Sequence, residues 1–198
     1  MILKRLFDIV ASLFGLILLF PVFLAVAVMI KVDSQGPVFF RQERMGRGGR
    51  PFLIHKFRTM RVAHGGPELT SASDARITPL GGTLRRYRID EFPQLFDVLA
   101  GNMSLVGPRP EVRRYMERYS EEDRAKILSV RPGMTDWTSI RFRNEAELLR
   151  QAADPELAYV TEIMPVKAKM YRDYVDHRSF WGDMAILCAT VLAIVSRK

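Results

Sequence analysis

The sequence is poor in the residues that build covalent or metal-based frameworks. Its one cysteine, Cys188, sits in an apolar run, so neither a disulfide nor a cysteine-ligated metal site forms within one chain. Read as a small hydrophobe, Cys188 is expected to be buried. The three histidines, His55, His64 and His177, show no ligand pairing and are assigned no role. Zinc-finger spacing, an RNA-recognition signature and a basic zipper are all missing, so nothing supports nucleic acid as a partner despite a net charge of +8. Acidic residues are scarce at the start. Residues 1–66 hold ten Lys/Arg and three Asp/Glu, which places seven of the eight net positive charges there. Internal repeats and low-complexity segments are also missing.

Charge is absent altogether from residues 9–30. As one helix this run would reach about 33 Å at ~1.5 Å per residue, enough to cross a bilayer core of roughly 30 Å. Pro21 sits near its middle and cannot donate to the helical ladder. Both flanks are basic, with Lys4 and Arg5 before it and Lys31, Arg41, Arg44, Arg47 and Arg50 after. The positive-inside tendency favours both flanks on the cytoplasmic side. A plain spanning helix and a helix–break–helix that enters one leaflet and returns both remain open, with Ser12 placed to help satisfy carbonyls freed at a break. A secretory leader fits less well, because the apolar run continues past Ala25-Val26-Ala27. A basic segment beside an apolar one suits an anionic membrane surface.

The remainder reads as α+β in a single domain over residues 1–198, with a membrane segment at 1–32 and a catalytic part at 33–198. Val38 to Arg44 and Phe52 to Arg58 are β-rich runs around a glycine-rich turn, a small β-hairpin whose arginines face either lipid headgroups or water. Residues 63–75 form a polar loop. Several short helices are expected: Leu80 to Tyr87, Pro93 to Leu99 stopped by Gly101, Glu111 to Leu128, Glu145 to Ala153 and Pro155 to Tyr174. An irregular stretch runs from Arg131 to Asn144. Met184 to Val195 is uncharged but too short to span, so it is a core helix or one lying at the membrane interface, with Trp181 as an anchor.

Arg85 to Pro110 carries the chemistry. Asp90 and Glu91 stand just ahead of Pro93, which suits the first turn of a helix, and the free N–H groups and dipole there favour anions. An ionised aspartate can attack phosphorus, and a neighbouring glutamate can hold Mg²⁺. Arg85, and Arg109 fixed between two prolines, are candidate phosphate clamps. A bare Asp-Glu pair is more often a helix cap with surface ion pairs; the surrounding arginines and prolines favour the chemical reading.

Several long motifs in order resemble the bacterial sugar transferase family, the monotopic phosphoglycosyl transferases. They are Asp74-Ala-Arg-Ile-Thr-Pro-Leu-Gly, Leu84-Arg85, Ile89-Asp-Glu-Phe-Pro-Gln-Leu, Gly101-Asn-Met-Ser-Leu-Val-Gly-Pro-Arg-Pro and Arg131-Pro-Gly. Lys4-Arg-Leu-Phe-Asp, Gly36-Pro-Val-Phe-Phe, Lys56-Phe-Arg-Thr-Met and Ser179-Phe-Trp-Gly-Asp also fit, so the resemblance covers essentially the whole chain. It implies a re-entrant membrane helix at a bacterial inner membrane, with the catalytic part on the cytoplasmic face. It also implies transfer of a sugar 1-phosphate from a UDP-sugar to a polyprenyl phosphate with release of UMP, the first membrane step of a glycoconjugate pathway. Asp90 would be the nucleophile of a covalent phosphosugar intermediate. Glu91 would bind Mg²⁺ beside it, and Arg85, Arg109, Arg131 and Arg143 would contact substrate. Membrane lipids are implied partners, and a homo-oligomer is left open.

One segment departs from the pattern. After Arg131-Pro-Gly the family usually reads Ile-Thr-Gly-Leu-Ala-Gln. This chain has Met-Thr-Asp136-Trp137-Thr138-Ser139, with Arg143 near the place of a family arginine. Sugar or nucleotide preference is the property this departure touches, while Trp137 is expected to pack in the core. The competing readings are a membrane-bound lipid phosphatase and a basic membrane-anchored scaffold.

Overall fold

The computed structural model describes residues 2–61 and 74–196. The polar loop expected at 63–75 falls outside them up to residue 73, as does His64. The architecture is mixed helix and sheet, as the sequence indicated.

Helix α1 (Ile2–Asp33) takes up the apolar segment. It is one helix of 32 residues, with Pro21 inside it, where the sequence suggested a break between two helices. It is long and apolar enough to cross a membrane. One narrow stripe of it is buried, marked by Asp8, Ser12, Val26 and Ile30. Leu6, Val10, Phe14, Ile17 and Leu18 on the other faces are more than half exposed. The buried stripe lies along the rest of the protein. Arg5 donates to the carbonyls of Val98 and Leu99 at 2.7 and 3.0 Å. Asp8 accepts from the Ser104 hydroxyl at 2.8 Å and the Leu105 N–H at 3.1 Å. Further along, Phe23 meets Phe57 and Phe96 edge to face. At the far end the buried Arg58 guanidinium donates to the carbonyls of Ser34 and Gln35, both at 2.7 Å. The Ser12 hydroxyl is buried without a hydrogen-bond partner, so it satisfies no carbonyl near Pro21.

Strands β1 (Phe39–Met45) and β2 (Pro51–Phe57) form the expected antiparallel hairpin, in register from Phe39 opposite Phe57 to Met45 opposite Pro51. Gly48 and Gly49 at its tip have φ of 68° and 73°, a left-handed backbone that glycine adopts without strain. Helix α2 (Pro79–Arg86) is capped by Thr78, whose hydroxyl accepts from the Gly81 N–H at 2.9 Å. A short turn at Ile89–Glu91 leads to α3 (Gln94–Ala100), which Gly101 ends with φ of 84°.

Strand β3 (Ser104–Val106) pairs in parallel with β4 (Gly133–Thr135). The sequence did not show this pair, because each strand has only three residues and the partners are far apart in the chain. Between them lie α4 (Arg113–Met116) and α5 (Glu121–Ile127), two helices in place of the single one expected, because Ser120 caps a new start by accepting from the Asp123 N–H. The stretch read as irregular holds β4 and the short helix α6 (Trp137–Arg141), opened by Asp136.

Helices α7 (Glu145–Gln151), α8 (Pro155–Ala158), α9 (Met164–His177) and α10 (Phe180–Val195) complete the fold, with a π-helical turn at Tyr159–Ile163 between α8 and α9. The largest apolar cluster joins Met45, Tyr115, Ile127, Leu149, Tyr159 and Tyr171. Helix α10 buries Asp183 and Ile186 and exposes Trp181, Val191, Leu192 and Val195. Cys188 lies on its exposed side, contrary to expectation, because the inward face is taken by Asp183, Ile186 and Thr190. Helix α10 packs beside the start of α1 through Phe7 against Phe180 and a Lys4–Asp183 ion pair at 2.5 Å.

Two adjacent glycines of α2 differ sharply in what surrounds them. A Cβ on Gly81 would lie 2.0 Å from the Thr59 carbonyl oxygen, whereas one on Gly82 would meet nothing closer than 4.0 Å. Gly81→Ala should cost about 2–3 kcal/mol through overpacking. Gly82→Ala should be neutral or stabilising by up to ~1 kcal/mol. Thermal unfolding of the two variants checks the difference.

Candidate active site

The turn at Ile89–Glu91 is entered through Arg88, the one non-glycine residue with positive φ among those described, at 55°. A left-handed arginine carries backbone strain of about 1–2 kcal/mol. The strained entry lets Arg88 bond back across its own turn, to Glu91 at 3.2 Å, and across the cleft to the Ser139 carbonyl at 3.3 Å. Asp90 and Glu91 are both buried.

Their surroundings are opposite in kind. Glu91 accepts from Lys56 at 3.1 Å, from Arg88, and from both terminal nitrogens of Arg109. Burial pushes its carboxyl up, but Arg109, Lys56 and Arg88 together outweigh burial and hold it well below the usual range. Asp90 makes no hydrogen bond or ion pair with any described residue. Burial, reinforced by the charge of Glu91, pushes its carboxyl up to about 6 against the pull of Lys56, Arg85 and Arg109. One carboxylate is thus locked as an anion, and its neighbour is a buried acid that lacks a partner.

Both face a cleft of about 1080 Å³. Arg41, Arg44, Lys56, Arg85, Arg88, Arg109 and Arg143 line it on the polar side, and Phe40, Val112, Phe142 and Leu149 line it elsewhere. Of the residues singled out from sequence, Asp90, Glu91, Arg85, Arg109 and Arg143 are therefore brought together. Arg131 is not among the lining residues. Its Nε donates to the Gly101 carbonyl at 2.8 Å and secures the end of α3, so the structure gives it a tie within the fold instead of a place in the cleft.

Among the described residues no three His, Cys, Asp or Glu side chains converge on one point, so there is no all-protein metal cage. Mg²⁺ is commonly held through one or two carboxylates with phosphate and water completing the shell. Because both Glu91 oxygens are engaged by Lys56, Arg88 and Arg109, Glu91 reaches such a cation only by exchanging one of these contacts. The unpartnered, buried Asp90 is the group that such a cation would satisfy.

The family model for bacterial sugar transferases matches residues 1–197. The chain belongs to the bacterial sugar transferase family. It is 37% identical over 206 residues to a UDP-glucose:undecaprenyl-phosphate glucose-1-phosphate transferase of Xanthomonas campestris pv. campestris, covering 98% of this chain and 39% of that protein. It is 35% identical over 199 residues to a UDP-N-acetylgalactosamine-undecaprenyl-phosphate N-acetylgalactosaminephosphotransferase of Aeromonas hydrophila, covering 98% of this chain and 44% of the relative. A third relative, an uncharacterised sugar transferase of Bacillus subtilis (strain 168), is 37% identical over 195 residues and is covered to 88%. The chain thus spans about two fifths of the first two relatives and most of the third.

Against the family's usual pattern, Asp136 now has a visible use. It is buried, and its carboxylate accepts from the Arg109 backbone N–H at 3.0 Å, the Thr138 hydroxyl at 2.6 Å and the Ser139 N–H. One side chain thereby ties the Pro-Arg-Pro segment to the start of α6. Trp137 does not pack in the core; it is 46% exposed, because the cap at Asp136 turns the next residue outward.

Four site residues escaped the sequence reading. Lys56 was visible in a β-rich run and in the Lys56-Phe-Arg-Thr-Met motif but was given no role, and Arg88 was one of several arginines. Arg41 and Arg44 were read as headgroup-facing or solvated, yet both line the cleft, and Arg44 donates to the Pro110 carbonyl at 3.2 Å. The period-two alternation of β1 puts Arg41 and Arg44 on opposite faces, so it does not predict that both reach the cleft. Beside Lys56, His55 is held by the buried Asp97 through its backbone N–H at 2.9 Å and Nδ1 at 2.8 Å, which fixes β2 against α3.

Removing the charge of Glu91 leaves Lys56, Arg88 and Arg109, each half-buried, around a neutral amide. Glu91→Gln should lower stability by up to about 3 kcal/mol, the low end of the cost of breaking a buried ion pair from one side, because the cations keep some contact with water. Adding Lys56→Met should return part of that loss. Thermal unfolding of the single and double variants measures both.

Proposed function

We propose that this chain transfers a sugar 1-phosphate from a UDP-sugar to undecaprenyl phosphate or a similar polyprenyl phosphate, with release of UMP. The observation that carries the reading is the pairing of a buried, unpartnered Asp90 with a Glu91 neutralised by Lys56, Arg88 and Arg109, inside a cation-lined cleft. The names of the relatives supply the donor and acceptor classes.

In this mechanism an Asp90 carboxylate oxygen attacks the phosphorus that bears the sugar. The bond from that phosphorus to the bridging oxygen breaks, and the electron pair leaves with UMP. The result is an aspartyl-phosphosugar on Asp90. A phosphate oxygen of the polyprenyl phosphate then attacks the same phosphorus and restores the Asp90 carboxylate. Arg85, half-buried and without a hydrogen-bond partner among the described residues, and Arg143, exposed at the rim, are available to neutralise phosphate oxygens. Arg109 presents its guanidinium from a segment held by its two prolines and by Asp136. Mg²⁺, held by Glu91 with Asp90, would supply charge neutralisation at the diphosphate. Burial of Asp90 favours attack because little water must be shed from the carboxylate before it reacts.

The same reading places α1 in the cytoplasmic leaflet of a bacterial inner membrane, entering and leaving by one face. Its support is the packing of α1. The start of the helix is tied to Val98, Leu99 and Ser104, its middle to Phe57 and Phe96, and its end to Arg58. A spanning helix would carry one of those ends to the opposite side, away from the body it contacts. The apolar, exposed faces of α1 and of α10 beside it are left for lipid.

UMP release from a UDP-sugar should be abolished in Asp90→Asn, and a phosphosugar adduct on Asp90 should be trapped by mass spectrometry when acceptor lipid is withheld. Phosphate release from polyprenyl phosphate without any nucleotide would point to a phosphatase instead. The attacking form of Asp90 is the ionised one, so kcat/KM should fall as pH drops through about 6, the value set by burial and by Glu91. A pH profile of UMP release measures this limb.

Cysteines placed at residues 4 and 33 should both be labelled from the cytoplasmic side in sealed inverted vesicles. Labelling from opposite sides would refute the one-face topology.

A further inference from the structure

Phosphate-binding cations dominate the cleft, but one corner of it is built differently. Glu145, at the start of α7, and Lys167, on α9, both line the cleft and form an ion pair at 2.6 Å. Lys167 is only 4% exposed. Its ammonium also approaches the Tyr159 hydroxyl at 3.4 Å and lies 4.9 Å from the centre of that ring. Tyr159 in turn donates to Glu111 at 2.7 Å, and Glu111 is the acid that most strongly opposes the effect of burial on Arg44. A chain of contacts therefore runs from Glu145 through Lys167 and Tyr159 to Glu111, whose charge acts on Arg44.

The arrangement leaves two unused groups. Glu145 spends one carboxylate oxygen on Lys167, and its other oxygen has no partner among the described residues. An ammonium has three donors, of which Glu145 and Tyr159 take two. Phe142, Ala146 and Leu149 give the same corner an apolar wall. A free carboxylate oxygen repels phosphate, so the part of a ligand seated here is neutral. A free acceptor and a free donor side by side, next to an apolar wall, suit a ring whose hydroxyl groups both donate and accept and whose C–H face is apolar.

We propose that Glu145 and Lys167 bind hydroxyl groups of the sugar ring of the donor and set which sugar is accepted. The inference rests on the reading of the cleft as a UDP-sugar site. The sugar is preferred over the ribose because it is bonded to the phosphorus that Asp90 attacks, and Glu145 and Lys167 line the same cleft as Asp90.

The test uses the full chain in lipid nanodiscs with undecaprenyl phosphate. UMP release is measured for UDP-glucose, UDP-galactose, UDP-N-acetylglucosamine and UDP-N-acetylgalactosamine, for the unaltered protein and for Glu145→Gln and Glu145→Asp. Inhibition by UMP, which lacks the sugar, is measured in parallel and also reports folding. Glu145→Gln places a donor where a hydroxyl needs an acceptor, so the kcat/KM ratio between the best sugar and its epimer should change by about tenfold. UMP inhibition should stay within about twofold. Glu145→Asp keeps the charge, withdraws it by one methylene, and should give an intermediate ratio. An unchanged ratio overturns the proposal. So does a loss of the same size for every sugar and for UMP, which would assign the pair to the nucleotide or to the fold. If the unaltered protein releases no UMP from any UDP-sugar, the transferase reading itself falls.

Discussion

Glu91 is surrounded by cations from three separate parts of the chain: Lys56 from β2, Arg88 from the entry to its own turn, and Arg109 from the Pro-Arg-Pro segment. Each cation alone would pay heavily for burial. Together with one carboxylate they form a cluster whose charges largely offset one another, and whose geometry requires all three segments to be in place. The cluster draws the hairpin, the left-handed turn and the loop after β3 onto one point. It also accounts for the state of Asp90. With the nearby cations committed to Glu91, Asp90 is left in a buried position with no partner of its own, and its carboxyl rises to about 6.

The layers beyond this cluster hold its contributors. Asp97 fixes β2 through His55, one residue from Lys56. Asp136 accepts the Arg109 N–H and so steadies the segment that presents the Arg109 guanidinium to Glu91. The close approach of Gly107 and Gly133, where a Cβ on Gly133 would come within 2.1 Å of the Gly107 nitrogen, sets the short parallel pair that carries both segments. Asp8 joins α1 to the same pair through Ser104 and Leu105. The long apolar helix and the cation-lined cleft are therefore braced by shared contacts. This arrangement suits chemistry in which a water-soluble donor meets a lipid phosphate at a membrane surface.

Much of this was legible in the residues themselves. The hairpin, α2, α3 and the apolar segment announced themselves through periodicity, through Pro79 and Pro93 near helix starts, and through Gly101 at a helix end. The Asp90–Glu91 pair and its Arg85 and Arg109 companions stood out because they are close in sequence. Lys56, Arg41 and Arg44 did not, because their approach to Glu91 depends on how the hairpin lies over the turn. The three-residue strands β3 and β4 were invisible for the same reason: they exist only as a pair, and neither has enough length to show a period. Arg131 was misplaced for a complementary reason, since a motif position does not say whether a guanidinium faces a cleft or a carbonyl.

By itself, then, the sequence determined the family, the location of the two carboxylates among arginines and the existence of an apolar segment with basic flanks, because these depend on residue type and local spacing. The tertiary structure decided how the two carboxylates differ. Two adjacent carboxylates in sequence become an ion locked by three cations and an acid without a partner among the described residues, because burial and charge act through distances in space that local spacing does not encode. It also decided that α1 lies along the body from end to end, since a helix of that length and composition would suit a spanning segment equally well.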